Sequence, residues 1–105
     1  MKQTGIYTIE EIKNKLTPIF EERGVIKAVL FGSYAKGEAT EYSDVDIVAQ
    51  VEDWIDDLDF CGISVDISDS LGKSVHFLDL TELIPNSIAD KEIRSTGRVI
   101  FDKKV

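Results

Sequence analysis

Leu30-Phe31-Gly32-Ser33-Tyr34-Ala35-Lys36-Gly37-Glu38-Ala39, followed by Ser43-Asp44-Val45-Asp46-Ile47-Val48, is the stretch that decides the fold. Val25 to Phe31 is β-branched and apolar, too short for a globular helix, and is stopped by Gly32, which predicts a strand. A small-residue turn runs from Gly32 to Gly37, and a polar loop leads into a second strand, Asp44 to Val51. Along that strand acids alternate with Val45, Ile47 and Ala49. One face is therefore apolar and the other begins with carboxylates.

Upstream, the spacing of Ile12, Leu16, Ile19 and Phe20 predicts a helix from about Ile9 to Glu22. Thr8 and Glu11 form a capping box at its start, and Gly24 ends it. Pro18 removes a backbone donor inside this helix and predicts a kink or a helix in two parts. Downstream, Phe60, Ile63, Ile67 and Leu71 share one face of a helix from Leu58 to Leu71. A strand at Ile63-Ser64-Val65-Asp66-Ile67 competes, but the helical spacing continues as far as Leu71 before Gly72. A strand from Ser74 to Leu78, a helix from about Asn86 to Ser95 and a short strand Val99-Ile100-Phe101 complete the order. This alternation predicts one compact α/β (α+β) domain over residues 1–105.

The 105 residues are enough to bury roughly 60–68% of the unfolded surface, a real but small core. The longest apolar run is Ala28-Val29-Leu30-Phe31, so no segment is long enough to span a bilayer. A beginning with one lysine and no apolar run argues against a secretory signal. A lone cysteine, Cys61, allows no internal disulfide, and both features fit the cytoplasm. The net charge of −8 is concentrated in the middle of the chain. Between Lys36 and Lys73 there are 11 acids and no Lys or Arg, while the rest holds 9 acids against 12 bases. Such a surface repels phosphate backbones, so direct nucleic-acid binding is not expected. The Glu52–Asp59 cluster reads either as a solvated acidic face or as a flank for a basic partner.

The residues that carry chemistry are Gly32-Ser33, ten intervening residues, and Asp44-Val45-Asp46. Aspartates two apart on a strand point to one face, where their oxygens can share a hard divalent cation. Gly-Ser between a strand and a short helix offers backbone N–H groups and a hydroxyl to phosphate oxygens. Metal on one side and phosphate donors on the other would position a nucleoside triphosphate for in-line attack. Each motif alone is common. The combination, in its strand contexts, is specific.

This combination resembles the GSx10DxD signature of the minimal nucleotidyltransferases, the smallest members of the DNA polymerase β-like superfamily. The stretches Asp59-Phe60-Cys61-Gly62-Ile63 and Leu71-Gly72-Lys73-Ser74-Val75, and the region from Ile93 to Phe101, are similar to further landmarks of that family. The resemblance implies a nucleotidyltransferase fold with a short mixed sheet flanked by helices. It also implies transfer of AMP from ATP with Mg2+, or Mn2+ as the alternative. By that likeness Gly32 and Ser33 hold the triphosphate, Lys36 lies near its phosphates, and Asp44 and Asp46 bind metal. It further implies an antitoxin that adenylylates a tyrosine of a HEPN-domain partner encoded nearby. An aminoglycoside-like small acceptor is also allowed, but so short a chain has no second domain to form its pocket.

One departure stands out. The family usually carries a third carboxylate where this chain has His76, after Lys73-Ser74-Val75. Histidine can act as a base near neutral pH, but it is a poor ligand for magnesium. Three readings stay open: His76 as a working catalytic substitute, a weakened site or one preferring a softer metal, and a chain that has kept the fold and neutralises its partner by binding alone. Asp79 falls on the opposite strand face, and Asp66 would serve only if its segment were a strand. Tyr34 reads as packing for the short helix rather than as a nucleotide contact. Trp54 is either an exposed anchor or a cap on the core.

Overall fold

In a computed structural model of the protein, residues 5–104 are described. Helix α1 (Ile9–Glu22) begins with the capping box: the Glu11 backbone N–H donates to Thr8 Oγ1, and the Thr8 N–H donates to the Glu11 carboxylate. The helix is not divided at Pro18. Pro18 is exposed, so water can satisfy the Asn14 carbonyl that loses its helical donor. Ile12, Leu16 and Phe20 are fully buried.

Strand β1 (Val25–Phe31) leads directly into a five-residue helix, α2 (Gly32–Lys36), which Gly37 closes. Then come β2 (Val45–Val51), α3 (Asp57–Leu71), β3 (Val75–Asp79), a single 3-10 turn at Leu80–Glu82, α4 (Ile88–Thr96) and β4 (Arg98–Asp102). The 58–71 segment is therefore helical, and the last acids of the Glu52–Asp59 cluster explain its start. Asp56 caps α3 by accepting from the Asp59 N–H, Asp59 reaches back to the Asp56 N–H, and Asp57 and Asp59 sit where the helix dipole favours negative charge.

The sheet order is β3-β2-β1-β4, with β2 and β3 parallel and the other pairs antiparallel. Paired residues share a face, so the register sorts the side chains. Ala28, Leu30, Ile47, Ala49 and Phe77 lie on one face and join Ile12, Leu16 and Phe20 of α1 and Ile63, Ile67 and Leu71 of α3 in the core. The opposite face carries Val29 and Phe31 of β1, Asp46 and Val48 of β2, and His76 and Leu78 of β3. Near Val29, Gly97 lets α4 approach closely, since a Cβ there would come within 2.9 Å of Val29 Cγ1. Among the described residues no helix is long and apolar enough to cross a membrane.

Candidate active site

The second face of the sheet brings the motif residues together. Asp44 directly precedes β2, and a hydrogen-bonded turn sets its approach: the Ser43 N–H donates to the Thr40 carbonyl, and the Thr40 N–H donates to Ser43 Oγ. Asp46 stands opposite Phe31 on β1 and opposite His76 on β3. His76 lies between the two aspartates, with Nδ1 2.9 Å from Asp46 Oδ1 and Nε2 3.5 Å from Asp44 Oδ2. Position 76 thus belongs to the carboxylate cluster because of the parallel register, a contact 30 residues distant in sequence.

Gly32 forms the other wall. Its φ of +73° is a left-handed conformation that favours glycine, and a Cβ there would collide with the Asp46 carboxylate. Glycine at 32 is therefore needed twice: to turn β1 into α2, and to let the loop lie against Asp46. Ser33 follows on the same turn. Lys36, at the end of α2, points its ammonium to Glu92 of α4, with Nζ 3.2 Å from Oε2.

Electrostatics marks Asp46 as the strained member. Burial pushes its carboxyl above the usual carboxylate range; hydrogen bonding and charge from His76 pull it back, and Asp44 and Glu92 push it up again. A cation beside Asp46 would relieve that cost. The donor chemistry fits one: two carboxylates on one strand face, with an imidazole beside them whose nitrogen suits Mn2+ better than Mg2+. Among the described residues no three such side chains already form a complete metal site, so further ligands would have to come from phosphate oxygens or water. The His76 side chain is 63% exposed and therefore has room to join such a site or to swing away from it.

The other residues singled out from the sequence lie elsewhere. Asp66 pairs with Arg23, tying α3 to α1. Asp79 caps the turn after β3, accepting from the Thr81 N–H and hydroxyl. Tyr34 is buried in the core, where its hydroxyl finds no partner among the described residues. Trp54 is 67% exposed, but its ring covers Gly24 at the start of β1. Glu52 pairs with Lys103. A cavity of about 880 Å3, lined by Tyr7, Lys15, Tyr42 and Lys73 among others, includes none of the motif residues. Glu92 is the residue that sequence reasoning missed. Its only signal is its place on a helix that must pack near α2.

Comparison with known proteins gives the family and the fold. The family described as polymerase beta, nucleotidyltransferase, matches residues 14–105. A Methanocaldococcus jannaschii protein, provisionally named a protein adenylyltransferase, is 38% identical over 77 residues, 73% of this chain and 83% of its own length. A crystal structure of a toxin–antitoxin with AMP-PNP has the same fold at a TM-score of 0.73 and 21% identity, covering 86% of this chain and 73% of that one. A chain of the complex of a tri-AMPylated Shewanella oneidensis HEPN toxin with its MNT antitoxin gives a TM-score of 0.69 at 17% identity, covering 92% and 75%. The Gly-Ser turn set against paired aspartates, the four-stranded mixed sheet that holds them and these matches lead to one conclusion: the chain belongs to the polymerase β-type nucleotidyltransferase family.

Proposed function

We propose that residues 1–105 form a single cytoplasmic nucleotidyltransferase domain that transfers AMP from ATP to a hydroxyl of a partner protein. The partner we infer is a HEPN-domain toxin encoded nearby, with a tyrosine as acceptor. The observation that carries the reading is the packing of Gly32 against Asp46, with Asp44 and His76 beside them. It supports reading Gly32-Ser33 as a phosphate-binding turn beside two carboxylates. The name of the Methanocaldococcus jannaschii relative and the HEPN toxin bound to a protein of the same fold support the choice of acceptor.

In this mechanism the Gly32 and Ser33 backbone N–H groups and the Ser33 hydroxyl bind phosphate oxygens, and Lys36 supplies a positive charge. Asp44 and Asp46 would hold the divalent metal, which when bound supplies Lewis-acid charge for the phosphates. The acceptor oxygen forms a bond to the α-phosphorus, the bond to the bridging oxygen breaks, and pyrophosphate leaves. His76 accepts the acceptor's proton. The test is intact-mass analysis of the partner after incubation with this protein, ATP and Mg2+ or Mn2+. An added AMP is expected, and Asp44→Ala should reduce its rate by about a hundredfold or more. No added AMP with either metal would overturn the proposal.

A second reading is favoured by one observation: the imidazole fills the space between Asp44 and Asp46. A protein that neutralises its partner by contact alone would keep that arrangement at no cost. It would neutralise equally well as Asp44→Ala, whereas the enzyme would not.

A further inference from the structure

Glu92, the ion-pair partner of Lys36, has no part in the transfer steps above, yet the pair lies at the rim of the same cluster. Lys36 is one turn beyond Ser33 on α2, and Glu92 projects from α4, which packs against α2. The two side chains are 35% and 33% exposed, with Nζ 3.2 Å from Oε2. Glu92 is also near enough to Asp46 for its charge to be felt there. A carboxylate and a phosphate oxygen are both anionic acceptors that repel each other around one ammonium, so a ligand phosphate that takes Lys36 competes with Glu92.

We propose that Glu92 is an intramolecular competitor for Lys36: it positions the lysine in the phosphate-free protein and weakens the hold on ATP and on the pyrophosphate product. This rests on the reading that phosphates bind at Gly32, Ser33 and Lys36. The ammonium exchanges one anionic partner for another as phosphate arrives, and returns to Glu92 as pyrophosphate leaves. Lys36 therefore remains paired throughout. The protein thereby avoids an unpaired lysine in the resting site and excessive retention of product.

Titration calorimetry with a non-hydrolysable ATP analogue, and separately with pyrophosphate, tests this in the presence of Mg2+. Glu92→Gln should bind both ligands about two- to fivefold more tightly, the range for an ion pair at a partly exposed site. Glu92→Ala should reproduce the gain, which a merely structural residue would not give. Lys36→Gln should weaken binding, and adding Glu92→Gln to it should then change nothing. Unchanged or weaker binding by Glu92→Gln would overturn the proposal. An equal gain in the Lys36→Gln background would also overturn it, since Glu92 would then act by direct repulsion of the ligand. Wild type that fails to bind either ligand, or Lys36→Gln that binds like wild type, would instead remove the phosphate site on which the proposal rests.

Discussion

Neighbouring residues of β2 have opposite fates. Ile47 is fully buried beneath α1 and α3, while Asp46, one residue earlier, lies on the other face with His76 and Gly32. The first face is apolar, closed and crossed by ring contacts such as Phe20 against Phe101 at 5.4 Å. The second also buries Phe31 and Val48, but at the Asp46 end it is polar and paired within itself: His76 lies between the aspartates, and Glu92 holds Lys36. At Asp46 and Ile47 the alternation of the strand separates the candidate site from the core. A substitution at this end of the sheet should therefore affect one or the other according to its parity.

The largest effect tests the closed face. Phe20→Ala removes a fully buried ring and should cost about 3–5 kcal/mol, read by urea denaturation. The molecules that remain folded should bind ATP as wild type does; loss of binding among them would break the separation of the faces. Gly32→Ala comes next and sharpens the boundary, because Gly32 belongs to both functions. The left-handed backbone costs about 1–2 kcal/mol with a Cβ, and the collision with Asp46 should at the same time weaken nucleotide binding. Losing stability without affinity would show that the contact with Asp46 does not shape the site.

The smallest effect is a pH dependence on the open face. The Asp46 carboxyl is raised above its ordinary value of 3.8 in the folded protein. Its contribution to stability is therefore full below that value and is lost as pH rises through the raised one. Asp46→Asn lacks this loss, so its melting temperature should gain on wild type between acidic and neutral pH. A mutant melting temperature that falls relative to wild type as pH rises would contradict the assignment of burial as the main influence on Asp46.

The elements were largely legible in the sequence because they depend on local pattern. Ile12, Leu16 and Phe20 spell out α1, and the spacing through Leu71 correctly resolves the 58–71 segment as helix. The β2 and β3 boundaries shift by one residue, to begin at Val45 and Val75. Pro18 leaves α1 in one piece because it faces solvent, which spacing does not reveal. The candidate site was half legible. Gly32, Ser33, Asp44 and Asp46 follow from a motif and from strand parity. The placement of His76 against both aspartates needs the parallel register of β2 with β3, and the Lys36–Glu92 pair needs the docking of α4 on α2. Both are long-range packing outcomes with no signature in spacing.

The central claim, that the metal and nucleotide bind on the open face, is tested most directly by paramagnetic broadening of backbone amide signals. Mn2+ would be added with a non-hydrolysable ATP analogue. The account predicts that Gly32, Ser33, Asp44, Asp46 and His76 broaden first while Ile12, Leu16 and Ile67 are spared. Broadening centred instead on the cavity of Tyr7, Lys15 and Lys73 would contradict it.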